Sequence, residues 1–381
     1  MNENVFADKF TKSFLEEEGF LKFLEERENN AEWRREKSNT LRFFSIEEDD
    51  HVSDTLEKRL LQEGKGDVFT DTLANTRLIL KVQDTLYPVR TCAVKTILER
   101  ARVSGHALNK VQKHVLAKIL NYCMEVSQGD SLLRFCEDKV SAVHGGDASD
   151  YAVLEIPELF QRTVDYLKDN FEAYTFAGAS YDHSAVTAVW MIEKDEALTA
   201  AYRKCLEENG LLYNEIQFGL RLTASDVGVS GANLYPMLFV GKESKLIPLG
   251  SPLKLEHKNK ANMSNFDERL NMLYAQYSKA LGSMERLMRT YVNHPVNTML
   301  GIMKKVGVPK KLAFEAVEDF KVRYGDSVCT AYEVYLGITE VLHLLRCSGE
   351  AEIKILHMEE NIARAITLRW KDYDIAGDAR W

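Results

Sequence analysis

The chain has 381 residues, 45% of them hydrophobic and 28% charged, with 49 Lys and Arg against 58 Asp and Glu for a formal net charge of −9. These are globular proportions, which exclude disorder throughout, and the length allows two or three domains or one large domain with appendages. Six scattered cysteines, none in Cys-x-x-Cys, argue against a disulfide framework or a zinc finger, and no apolar run of about 18 residues is present to span a membrane. The first residues lack the basic and apolar regions of a signal peptide. A cytoplasmic protein with reduced thiols, no cofactor and no membrane attachment is expected.

The first 72 residues hold nineteen acids against eleven basic residues. They read as an acidic, partly flexible helical arm, with a helical edge of the main body as the alternative. Phe14, Leu15, Phe20, Leu21 and Leu24 predict an amphipathic helix around 8–29, and a second short helix covers 54–62, stopped at Gly64. Residues 73–260 read as an α+β domain. Strands are expected at 76–82 and 86–90, helices at 92–102 and 108–126, and a strand pair at 132–135 and 139–143. Pro157 opens a helix over 156–170. Alternating runs at 174–181 and 185–192 flank Asp182-His183-Ser184 and predict a hairpin. A helix over 195–208 stops at Asn209-Gly210, and strands follow at 216–222, 234–240 and 246–249.

Residues 261–381 read as a helical C-terminal domain. Ser264 with Asp267 resembles a capping box. Phe266, Leu270, Leu273, Tyr277, Leu281, Met284, Leu287 and Tyr291 then predict one helix of roughly seven turns. Pro295, Gly307, Pro309 and Gly325 punctuate shorter helices, and two more cover 328–345 and 351–370. The fold class is therefore α+β, a central mixed region with antiparallel hairpins followed by an all-helical region.

Charge supplies the first candidate site. From Lys242 to Lys311 thirteen Lys and Arg stand against five Asp and Glu, a balance of +8 in an acidic chain. Two groups stand out, Lys254, His257, Lys258 and Lys260 before the long helix, and Lys304, Lys305, Lys310 and Lys311 around the Gly307–Pro309 turn. Converged, they could hold phosphates by Coulombic attraction. Kept apart, they are solvated lysines at helix ends. The second candidate is the polar loop carrying Ser225, Asp226, Gly228, Gly231 and Asn233. It follows a strand but lacks both phosphate-loop patterns, so a turn needing positive φ at a glycine is the alternative.

His144, His183, His257 and His294 show no metal-ligand spacing, so no metal site is expected. Asp182, His183 and Ser184 are adjacent on a turn and cannot adopt triad geometry. A pocket of Asp182, His183, Asp226 and His257 is the enzymatic alternative. Asp372, Asp374 and Asp378 read as a solvated tail.

Several segments taken together are Lys139-Val-Ser-Ala-Val-His144, Tyr181-Asp182-His183, the stretch from Ser225 to Pro236, Pro252-Leu-Lys-Leu-Glu-His257 and His294-Pro-Val-Asn297. Their order resembles a group of phage-, plasmid- and integrative-element-encoded proteins of unknown function, over roughly residues 130–375. That group brings no established active site. The resemblance implies a bacterial mobile element, where accessory proteins often handle nucleic acid; the alternative is a structural or self-assembling protein, in which the acidic arm of one copy meets the basic segment of another.

Overall fold

The computed structural model describes residues 4–47, 50–193, 196–211, 216–240, 245–350, 352–377 and 381. Lys242 and Asp378, both noted for their charge, fall outside them. Among the described residues the central element is a seven-stranded antiparallel sheet. Its order is Thr11–Phe14, Tyr174–Asp182, Val186–Ile192, Ile216–Ala224, Ala232–Val240 and Lys245–Pro248, and Leu253–Leu255 also pairs with Ala232–Val240.

The two faces of this sheet follow from strand alternation. Leu220 lies opposite Trp190 and Leu222 opposite Ala188, and all four are buried. Helices cover this apolar face. Tyr277 of Leu273–Met288 meets Phe218 edge-on at 5.4 Å between centroids, and Phe160 of Ile156–Asn170 lies 6.3 Å from Trp190. The other face is mixed, with Val189 opposite Arg221 and Met237 opposite Gly219, and it holds the sheet's polar pairs. Thr223 pairs with Thr187 and Asn233, Asn233 with Lys254, and Arg221 with Tyr235. The Glu352–Arg364 helix crosses that face. Its Glu359 takes both guanidinium nitrogens of Arg221 at 2.5 and 2.8 Å, with both residues almost fully buried.

Two three-stranded sheets stand beside this body, one of Ala31–Lys37, Asp130–Cys136 and Lys139–Gly145, the other of Arg42–Ser45, Leu78–Val82 and Thr85–Pro88. They join where Val89 bridges Val140 and the Arg90 amide donates to the Val140 carbonyl at 2.9 Å. Their shared core, from Leu41 to Val143, is distinct from the large core, which runs from Phe10 to Trp370.

The class is α+β, and both expected hairpins form. Three expectations change. Residues 1–72 are woven into the body: Thr11–Phe14 forms an edge of the main sheet, Ala31–Lys37 pairs with Asp130–Cys136, and Phe10, Phe14, Phe20 and Phe23 enter the large core. The acids of this stretch find cations in the same chain, Asp8 and Asp71 at Lys139 and Glu28 at Arg134.

The seven-turn helix is two helices, Met263–Asn271 and Leu273–Met288, meeting at Met272. Its cap is a reciprocal pair, in which the Asn265 amide donates to Asn262 at 3.1 Å and the Asn262 amide to Asn265 at 3.2 Å. Asp267, free of capping, turns to Arg162 at 2.5 Å. The C-terminal region is also not wholly helical, since Tyr291–Val292 pairs with Cys329–Thr330.

Candidate ligand cleft and basic face

The polar loop connects strands Ile216–Ala224 and Ala232–Val240. Ser225 organises it, donating to the Ser184 carbonyl at 2.6 Å and accepting from the amides of Val227 and Val229 at 3.2 and 3.3 Å. Gly228 has φ of +70°, the left-handed turn anticipated for this loop. Gly231 is required for another reason: a Cβ there would lie 2.2 Å from the Leu255 carbonyl oxygen.

Against this loop lies a stack of three rings. His144 and Tyr151 are 3.6 Å apart between centroids and 6° from parallel, and Tyr151 and His257 are 4.8 Å apart and 4° from parallel. The Asp226 carbonyl accepts from His144 Nε2 and from the Tyr151 hydroxyl, both at 3.0 Å. His257 Nδ1 donates to the Ala152 carbonyl at 2.9 Å. Burial pushes the His144 imidazole down to about 4 and lowers His257 as well, so both rings are neutral near pH 7.

A cleft of about 440 Å³ opens beside the stack. Its walls include the edges of His144 and Tyr151, Asn233 and Tyr235 from the mixed sheet face, and His357 and Glu360 from the crossing helix. Among the described residues three lysines and four carboxylates line it. Each lysine faces an acid: Lys254 contacts Glu360 at 2.5 Å, Lys95 contacts Glu99 at 3.8 Å and Lys258 contacts Glu256 at 3.9 Å. Glu360 also accepts from the Tyr235 hydroxyl at 2.7 Å. The Lys254–Glu360 bond fixes the lysine of the first basic group onto the wall.

Behind the loop is an interior charge network. The Asp226 carboxylate points away from the cleft to Arg134 at 2.9 Å, and Arg134 also holds Glu28 at 3.0 Å. Burial raises Asp226 to about 6, with Arg134 opposing and Glu28 adding to the rise. Burial and the neighbouring Glu28 and Asp226 raise Glu155 to about 7. Lys139 is buried between Asp8, at 2.9 Å, and Asp71.

Asp182, His183 and Asp226 meet at an interior cavity of about 20 Å³, whereas His257 lines the cleft. The four residues thus divide between two pockets, His257 belonging to the ring stack on the cleft wall. His183 Nε2 lies 3.0 Å from the Ala7 carbonyl and burial depresses the ring to about 2, while Asp182 accepts from the amides of Ser184 and Ala185 at 2.6 and 2.9 Å. These are turn and packing roles.

The second lysine group lies at the turn between Pro295–Val306 and Lys310–Tyr324, with Gly307 left-handed at φ +85°. All four of its lysines are exposed. Lys304 and Lys305 make no ion pair among the described residues, Lys310 sits 5.8 Å from the Phe314 ring centroid, and Lys311 contacts Glu315 at 3.8 Å. The crossing helix stands between the two groups. Glu360 takes Lys254, and the next residue, Asn361, has its Nδ2 3.9 Å from where a Gly307 Cβ would be. Arg364 donates to Asn361 at 2.7 Å and adds a cation beside that turn. Lys258 lines the cleft, and both it and Lys260, which has positive φ, are exposed.

The C-terminal carboxylates are not all solvated. Asp374 accepts from the Asn293 and His294 amides at 2.8 to 3.0 Å, capping the Pro295–Val306 helix, and those contacts hold it below the usual carboxylate range although burial opposes them. Comparison with protein-family models, with curated proteins and with solved structures gave no match.

The side chains of the cleft and its charge network that sequence did not single out are Tyr151, Tyr235, Glu360 and Arg134. Each is an isolated residue whose partner is distant in sequence. Glu360 lies 106 residues from Lys254 and 125 from Tyr235, so no local spacing carries the signal.

Proposed function

We propose that the chain binds nucleic acid, single-stranded or without strong sequence preference, as an accessory protein of a bacterial mobile genetic element. The observation carrying the binding reading is the approach of both lysine groups to one helix, Glu352–Arg364, with Arg364 reinforcing the second group. Lys258, Lys260, Lys304, Lys305, Lys310 and Lys311 are exposed and would contact backbone phosphates, while Lys254 is held by Glu360. The mobile-element context is supported by the ordered segments from Lys139 to Asn297.

Backbone contacts release counterions, so affinity should fall with salt. The test is fluorescence anisotropy of a labelled oligonucleotide across a salt series, for wild type and for a variant with Lys258, Lys260, Lys304 and Lys305 changed to Glu. Wild type is expected to bind at ~50 mM salt and the variant to show a shallower salt slope. Absence of wild-type binding, or an unchanged slope, overturns the reading.

A further inference from the structure

The cleft beside the ring stack is a second site, and its chemistry differs from that of the basic face. Asn233 is 5% exposed and its Nδ2 donates to the Ser230 hydroxyl at 2.9 Å, while its Oδ1 is buried without a hydrogen-bond partner. A buried acceptor left unmade is costly, and native proteins tolerate few of them. The residue sits on the cleft wall, on the mixed face of the sheet, between Tyr235 and the Gly231 crossing.

The surroundings select the ligand. The cleft lysines face Glu99, Glu256 and Glu360, and the fourth carboxylate, Asp150, interacts with Arg100. His144 and His257 are neutral, so no surplus positive charge awaits an anion. An orphaned acceptor and a carboxylate at the rim call for N–H or O–H donors. A volume of about 440 Å³ falls within the range of small-molecule pockets.

We propose that this cleft binds an uncharged small molecule presenting amino or hydroxyl donors, of nucleoside or disaccharide size, with Asn233 Oδ1 as the anchoring acceptor. This goes beyond nucleic-acid binding and does not depend on it. A phosphate would meet a cleft whose cations already face carboxylates, and would leave Asn233 Oδ1 without a donor.

Isothermal titration of the full chain at about 150 mM salt, where exposed charges are screened, tests the proposal. The probes are adenosine, cytidine, maltose, AMP and inorganic phosphate, each up to 10 millimolar. Binding of adenosine or cytidine identifies a base as the donor source, and binding of maltose identifies hydroxyls. In either case phosphate does not compete, and AMP binds no tighter than adenosine.

The decisive variant is Asn233→Leu. It removes the orphaned acceptor, so the fold should melt at or above the wild-type temperature while binding weakens by roughly tenfold or more. A structural asparagine would behave oppositely, with a lowered melting temperature and any residual binding unchanged. Asn233→Asp, which keeps an acceptor, should retain binding better than the leucine variant. The proposal is overturned if none of the neutral probes binds, if phosphate displaces them, or if Asn233→Leu binds as wild type does. Oligonucleotide anisotropy of the same variant reads the basic face separately, and its failure would leave this result standing.

Discussion

Two regions of the molecule concentrate charge, and they use it in opposite ways. Around Gly307 the lysines are adjacent in sequence, exposed and weakly partnered. In the interior, Arg134, Lys139 and Arg221 are separated in sequence, almost fully buried, and each is held by carboxylates. The first kind dominates a charge count. The second dominates the energetics, because breaking a buried pair strands an ion in a poorly polarisable medium, whereas an exposed pair is screened by water. A run of like charge therefore points to encounter with a partner, and a scattered set of buried charges points to architecture.

The comparison would break first at Glu359. Glu359→Ala leaves the Arg221 guanidinium buried without its bidentate partner and should lower unfolding free energy by about 3–5 kcal/mol in urea titration. Lys139→Met, which removes the buried ammonium between Asp8 and Asp71 but leaves Asp8 its bonds from Thr91, should cost less, about 1–3 kcal/mol. Lys304→Ala with Lys305→Ala should stay within about 0.5 kcal/mol. A loss below 1 kcal/mol at Glu359 would show that burial does not separate the two regions.

Acid sharpens the same contrast. His144 and His183 have folded-state values depressed to about 4 and about 2, so the unfolded chain binds protons that the folded chain refuses. Their contribution is present above roughly pH 6.5 and is lost as pH falls, at up to about 1.4 kcal/mol per pH unit for each ring. Asp226 works the other way. Its value is raised to about 6, so it favours the folded state in acid and loses that contribution as pH rises from its ordinary range through about 6. Asp226→Asn should therefore steepen the fall in stability between pH 6.5 and 4, measured by denaturant titration at several pH values. A flatter profile would reverse the assignment.

A smaller effect is expected at Gly231. Gly231→Ala places a methyl group 2.2 Å from the Leu255 carbonyl oxygen, so the Leu253–Leu255 strand must shift. A loss of about 1–3 kcal/mol is expected. A neutral result would show that the cleft wall adapts freely.

The parts legible in sequence were those with local signals. The 174–192 hairpin is an alternating run about an Asp-containing turn, and the Gly228 loop was visible because glycines and short polar groups cluster there. Ala31–Lys37 was not visible. It is an edge strand reading Ala-Glu-Trp-Arg-Arg-Glu-Lys, with almost no apolar alternation, and only its pairing with Asp130–Cys136 makes it a strand. Glu359 and Glu360 carry no local signal that separates them from the other charges of the helix. The positive partner that buries Glu359 lies 138 residues upstream, beyond the reach of any periodicity.

That separation has a consequence during synthesis. The strand bearing Arg221 leaves the ribosome long before Glu359 is translated, so the nascent sheet must wait without the carboxylate that takes both of its guanidinium nitrogens. The face carrying Arg221 should stay open and wet until the Glu352–Arg364 helix emerges. Ribosome-bound chains halted before residue 359 would then be digested by protease across 216–240, while the 381-residue chain resists.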